Sequence, residues 1–255
     1  MTAWGPTGSG AGRPRRFQLD RNTVIIAVAV AVIVVLVVRS HKISSAQAIY
    51  FCVLIPSIIL HEISHGAVAL AFGDSTAKRA GRLNLNPMRH IDPVGTLLVP
   101  AVLSLSGLGA YGWAKPVPVN AANLRSPRNH IVFVSLVGPL INFVIAALFG
   151  VAFVAVGGRT TAQQIFDITQ FSLIEQILLY GGFANVMLGV FNLIPCPPLD
   201  GAAILERMLP ARVLPRYWDL QPLLMFLPFI LILIFHNAWS SFVNQLFTWW
   251  LHALL

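Results

Sequence analysis

Leu60-His61-Glu62-Ile63-Ser64-His65-Gly66 sets two imidazoles four residues apart. On an α-helix such residues lie one turn above each other on the same face, so both rings can reach one cation. Glu62, one position after the first ring, then stands beside a water on that cation without binding the cation itself, the arrangement for general-base activation of the water. In a chain with seven His, shuffling yields His-Glu-x-x-His in roughly a few chains per thousand, so accident is a poor explanation. A catalytic zinc generally holds three protein ligands plus water, and a third must come from elsewhere. Asn192-Leu-Ile-Pro195-Cys196-Pro197-Pro198-Leu-Asp200-Gly201 supplies a candidate carboxylate, Asp200. Its prolines remove amide donors and break a helix; irregular backbone at membrane depth is tolerated only where it lines a protein-buried or watery cavity. Gly201 permits a sharp turn that aims Asp200. Two other readings stay open, Asp200 as a helix-capping residue and Cys196 as the ligand.

The elements that must position these groups are membrane spans. Of 255 residues, 56% are hydrophobic and only 10% charged, against about 25% in a soluble domain. Apolar runs fall at 23–38, 46–72, 131–156, 176–199 and 222–235, near the roughly 20 residues that cross a hydrocarbon core. Segment 94–108 suits a re-entrant hairpin or a tilted span. Segment 239–255, with Trp249, Trp250 and His252, suits an interfacial helix or a final span, because Trp prefers the headgroup level. The His-Glu-x-x-His motif lies inside the second run, where each ionisable group costs about 2.5 to 3.5 kcal/mol to insert and is functional by default.

The net charge of +8 marks topology rather than nucleic acid, since no RNP, zinc-finger or basic-helix pattern is present. With the N-terminus in the cytoplasm, all Lys and Arg except Arg39, Lys42 and Arg159 fall on the cytoplasmic side, as the positive-inside rule requires. Run 23–38 lacks a small-x-small cleavage site and is expected to stay as an uncleaved span. Residues 1–22 form an expected disordered cytoplasmic tail, and 23–255 one membrane domain with its core at 46–201. Cys52 and Cys196 cannot make a disulfide framework.

The paired motifs resemble the site-2 protease family of intramembrane zinc metalloproteases, whose hallmarks are His-Glu-x-x-His and a later Asn-x-x-Pro-x-x-Pro-x-Asp-Gly. Gly112-Trp-Ala-Lys-Pro-Val-Pro-Val-Asn120 and Gly138-Pro139-Leu-Ile-Asn142 are also similar to its compact bacterial members. The resemblance covers roughly 46–201. It implies an all-α polytopic membrane fold of about six transmembrane helices, with a re-entrant or β-hairpin element near the active site. It implies one zinc on His61, His65 and Asp200, Glu62 as general base, and a transmembrane protein or peptide as substrate. Asn142 and Asn192 would hold the substrate strand or polarise the developing oxyanion; interhelical hydrogen bonding is the equal alternative. The chain has no room for the PDZ or nucleotide-sensing domains of many relatives. A cytoplasmic membrane of a bacterium is the expected location, with the active site nearer the cytoplasmic face.

Peptide hydrolysis at such a site needs an unwound substrate, because helical carbonyls are tied up in i to i−4 bonds. Segments 82–86 and 115–119 could offer a strand edge to hold it. His41, His90, His130, His236 and His252 have no ligand spacing, and Asp92 is expected to cap the segment after it. A transporter or metal channel is the first rival function, since broken helices with acidic residues also mark transport sites; a zinc-binding, non-proteolytic family member is the second.

Overall fold

The structure, a computed structural model, describes residues 45–90, 92, 95, 115–158 and 171–254. The expected first span at 23–38 and the N-terminal tail lie outside these residues, as does the segment 94–108 apart from Gly95.

The described residues are helical, with no strand among them. Three helices are long and apolar enough to cross a membrane, Cys52–Ala71, Pro127–Ala155 and Leu173–Asn192. The two shorter ones, at 20 residues each, rise about 30 Å, one hydrocarbon thickness. The first belongs to α1 (Ser45–Ala71). Gly73, at φ 110°, closes it, a left-handed backbone that glycine adopts without a Cβ penalty. A short α2 (Thr76–Arg79) follows. The second and third spans are α3 (Pro127–Ala155) and α4 (Leu173–Asn192).

These three helices pack against one another. On α3, Leu140, Val144, Leu148 and Val151 are exposed at steps of three and four residues, an outward apolar stripe that water would not tolerate over such an area. On α4 the buried residues run from Leu179 to Gly189. There Gly181, Gly182 and Gly189 admit the rings of Phe149, Trp250 and Phe143, each of which would lie within 2.7 Å of an added Cβ. Small residues let membrane helices approach closely where no hydrophobic force drives them together.

Ser172 and Glu175 form a capping box at the start of α4, three residues before the expected span at 176. After α4 come α5 (Ala202–Met208), α6 (Leu214–Leu224), α7 (Leu227–Ile234) and α8 (His236–His252). The expected continuous span at 222–235 is therefore broken. Pro228 starts a new helix of only 8 residues, about 12 Å long. The expected 176–199 helix likewise ends early, at Asn192, where the proline-rich stretch begins. On α8 Trp249 is exposed as an interfacial residue would be, but Trp250 and Leu251 are buried and pack with Phe183, Val186 and Met187 of α4 and Phe153 of α3.

The expected re-entrant or β-hairpin element, at 94–113, lies outside the described residues apart from Gly95; the segment that follows, 115–120, is extended without strand pairing. Pro116 and Pro118 have no N–H to donate. The N–H groups of Lys115, Val117 and Asn120 go to the His90 carbonyl, Glu62 and Asp74, so no ladder forms.

Candidate metal centre

His61 and His65 stand one turn apart on α1, buried at 5% and 8% exposure. Asp200 reaches them from the stretch after α4, which folds back so that the Gly201 N–H donates to the Asn192 carbonyl at 2.7 Å. Gly201 has an ordinary φ of −59°, so turn conformation is not why a glycine stands there. An added Cβ would lie 2.3 Å from the Leu193 carbonyl oxygen and 2.5 Å from that of Ile194. Only a residue without a side chain lets the backbone fold this tightly and deliver the carboxylate.

His61 Nε2 lies 3.0 Å from Asp200 Oδ2, His65 Nε2 lies 3.3 Å from Asp200 Oδ1, and the two Nε2 atoms are 3.0 Å apart. Ligands on one face of a zinc tetrahedron, with bonds near 2.0 to 2.1 Å, are separated by about 3.3 Å. The three residues therefore fit a shared cation. Asp200 Oδ2 supports the fit, because it is buried and faces the His61 ring nitrogen with no hydrogen-bond donor beyond that ring. These are also the one group of three metal-binding side chains among the described residues. Cys196 is outside it, its thiol directed at the Leu224 carbonyl at 3.6 Å.

Behind the rings stands α3. His65 Nδ1–H donates to the Val134 carbonyl at 2.6 Å, and His61 Nδ1 contacts the Asn142 side-chain amide at 3.0 Å. Between them Gly138 lies so close that an added Cβ would be 2.5 Å from both His61 Cε1 and His65 Nε2. Pro139, inside α3, offers no N–H to the Ser135 carbonyl one turn back.

Glu62 shares the helical turn of His61 but not its ligand cluster. Its Oε2 accepts the Val117 N–H at 2.7 Å, which ties it to the extended segment. Gly66 allows that segment in, since a Cβ there would lie 2.9 Å from Val117 Cγ1. Arg82, buried at 8% exposure, fastens the segment's start by donating to the carbonyls of Lys115 and Pro116 and of Arg89. Asp74, fully buried, fastens its end. It accepts from the Asn120 N–H at 2.6 Å, the Asn123 amide and the backbone and hydroxyl of Thr76.

Asn192 donates to the Leu188 carbonyl of its own helix at 2.9 Å. Elsewhere, His90 contacts the Asn84 carbonyl, His130 stacks on Phe72, and His236 and His252 are exposed. Asp92 accepts the Gly95 N–H at 2.8 Å, as a local cap does. Sequence reasoning missed Asp74, Arg82, Val134 and the packing role of Gly138. Gly138 alone left a trace, because a glycine inside a helix is destabilising by about 1 kcal/mol relative to Ala and is kept for close packing.

A helix carrying two buried imidazoles and an adjacent carboxylate, completed by a distant aspartate, is the site of a mononuclear metal hydrolase. Residues 49–235 match the model of peptidase family M50, and the chain belongs to that family. As a member it is an intramembrane zinc metalloprotease and an integral membrane protein, and the family implies membrane-protein substrates. YwhC of Bacillus subtilis, a provisionally assigned zinc metalloprotease, is 40% identical over 163 residues, 63% of this chain and 68% of that protein. Rip2 of Mycolicibacterium smegmatis, assigned in the same provisional way, is 32% identical over 59% of this chain and 53% of its own length. The zinc metalloprotease MJ0392 of Methanocaldococcus jannaschii is 29% identical over 64% of this chain and 34% of its own. No solved structure matches the chain at a significant level.

Proposed function

We propose that His61, His65 and Asp200 hold the zinc, that Glu62 is the general base, and that the substrate is a transmembrane segment cleaved in a water-accessible cavity near the cytoplasmic face. The single domain 23–255, of about six spans with its core at 46–201, belongs to the same reading. Convergence of three donor groups within 4.8 Å of one another, from α1 and from the break after α4, carries the proposal. Zinc, when bound, supplies Lewis acidity and brings the pKa of water near 7.

Everything else falls to the chain's own residues. The Val117 N–H holds Glu62 by Oε2, and Oε1 takes the proton from the attacking water and passes it to the leaving amine. Irregular backbone beside the site at 193–201 favours a cavity that admits water. The substrate helix unwinds so that its carbonyl becomes available. In segment 115–119 half of the backbone groups are already engaged and Val117 is buried, so strand addition is left with the carbonyls of 117–119 and the Val119 N–H.

The test pairs two variants of the detergent-solubilised protein, read by zinc content and by cleavage of a membrane-spanning substrate. Glu62→Gln keeps zinc and loses at least about 100-fold in rate, the usual contribution of a positioned base. Asp200→Ala loses both. Full zinc occupancy and activity in Asp200→Ala would overturn the assignment.

A further inference from the structure

Positions 134, 138 and 142 lie at i, i+4 and i+8 on α3, one stripe of a helix, and all three meet the ring pair of α1. Val134 presents a carbonyl, which can only accept, so His65 carries its proton on Nδ1 and aims a bare Nε2 at Asp200. Gly138 brings the two helices together. Asn142 then occupies, for His61, the place that the Val134 carbonyl holds for His65.

Asn142 is fully buried, with its amide nitrogen 3.0 Å from His61 Nδ1 and its amide oxygen buried without a partner. That orientation would leave Nδ1 bare and drive the proton onto Nε2, the atom facing His65 Nε2 and Asp200. Exchanging the amide's oxygen and nitrogen keeps the side chain's shape. It also lets the oxygen accept Nδ1–H, so that Nε2 offers a lone pair.

We propose that Asn142 is a positioning residue for the metal: its side-chain carbonyl fixes the tautomer and tilt of His61, so that α3 supplies the outer support for both imidazole ligands. This departs from the substrate or oxyanion role that the resemblance implied, because Asn142 touches the ring nitrogen that is not in the ligand cluster. It rests on the zinc assignment proposed above.

The experiment compares Asn142→Leu, Asn142→Asp and His61→Ala in the full chain, by zinc affinity in competition with a chromophoric chelator, alongside kcat and KM. Loss of an outer-shell partner weakens zinc binding about 10- to 100-fold. That is the expectation for Asn142→Leu, whereas Asn142→Asp, which keeps an acceptor, holds wild-type affinity or better. In the His61→Ala background Asn142→Leu adds no further loss, as a residue acting through His61 requires.

Wild-type zinc affinity in Asn142→Leu with a fall in kcat would overturn the proposal in favour of a substrate-facing role. Equal loss in Asn142→Asp and Asn142→Leu would overturn it in favour of a merely structural amide. Should Asn142→Leu fail to fold, loss of affinity in Asn142→Asp alone sinks the idea. If instead His61→Ala binds zinc as the wild type does, the metal assignment itself has failed, an outcome separable from the others.

Discussion

At Gly138 two helices meet with no room for a methyl group. A Cβ there would sit 2.5 Å from His61 Cε1, His65 Cε1 and His65 Nε2, under any van der Waals separation, and these rings are not flexible ends that can swing aside. His65 is held by Val134 and His61 by Asn142, so relief must come from parting α1 and α3 or from rotating a ligand. Either change misplaces a donor whose distance tolerance to zinc is about 0.2 Å. Gly138→Ala is therefore expected to cut zinc affinity at least about 10-fold, even though Ala is the better helix former by about 1 kcal/mol. Chelator competition checks this directly, and unchanged affinity would show that the helices part without disturbing the ligands. By the same reasoning Gly201→Ala, whose Cβ would strike the carbonyl oxygens of Leu193 and Ile194 rather than side chains, displaces the turn that carries Asp200 and leaves the two rings on α1 in place.

Among the elements, the extended segment 115–120 has the least regular structure and the most external ties. Arg82 secures its start, Glu62 its middle and Asp74 its end. None of this was legible in the sequence, because each tie joins residues dozens of positions apart and uses ordinary residue types. What was legible was whatever depends on spacing or run length: the i, i+4 imidazoles, the spans at α1 and α3, and the proline-rich break that delivers Asp200. Run 222–235 misled because an apolar count takes no account of Pro228, at the start of α7, before which the helix of Pro222 has already ended. Asp74 offers a test of the segment's anchoring. Burial alone would raise its pKa, but the Thr76 hydroxyl, the Asn123 amide and the backbone N–H groups of Asn120 and Thr76 hold it at about 2, below its ordinary 3.8. A depressed folded pKa means that the stabilisation is complete above pH 3.8 and vanishes as pH falls through about 2. Losing one charged hydrogen bond is worth about 1.5 kcal/mol, or about 3 °C in a chain of this size. In metal-stripped protein Asp74→Asn should melt about that much lower at pH 7, with the gap closing below pH 3.8. A gap that persists undiminished at pH 2 would assign the loss to shape rather than charge.

At the scale of the molecule, the Lys and Arg side chains among the described residues gather at one end of the bundle. The Arg125 N–H donates to the Phe72 carbonyl at the close of α1. Arg128, at the start of α3, reaches the Leu209 carbonyl, and Arg207 on α5 reaches Asn129. Lys78, Arg79, Arg125, Arg128 and Arg207 therefore share the end from which Asp200 enters. The opposite end carries the α3 terminus at Ala155 and the α4 start at Leu173, joined by the Phe153, Phe171, Leu179 and Leu251 cluster. By the positive-inside rule, the orientation proposed above expects this basic end, with the candidate metal site, to face the cytoplasm. Single cysteines introduced at Lys78 and Arg212, both exposed, in a chain stripped of Cys52 and Cys196, should react with a membrane-impermeant maleimide only in inverted vesicles. A cysteine at Gly157, exposed at the far end, should react only in intact cells. The reverse pattern would leave the metal geometry untouched but turn the cavity outward, and the substrate's scissile bond would then lie near the other face.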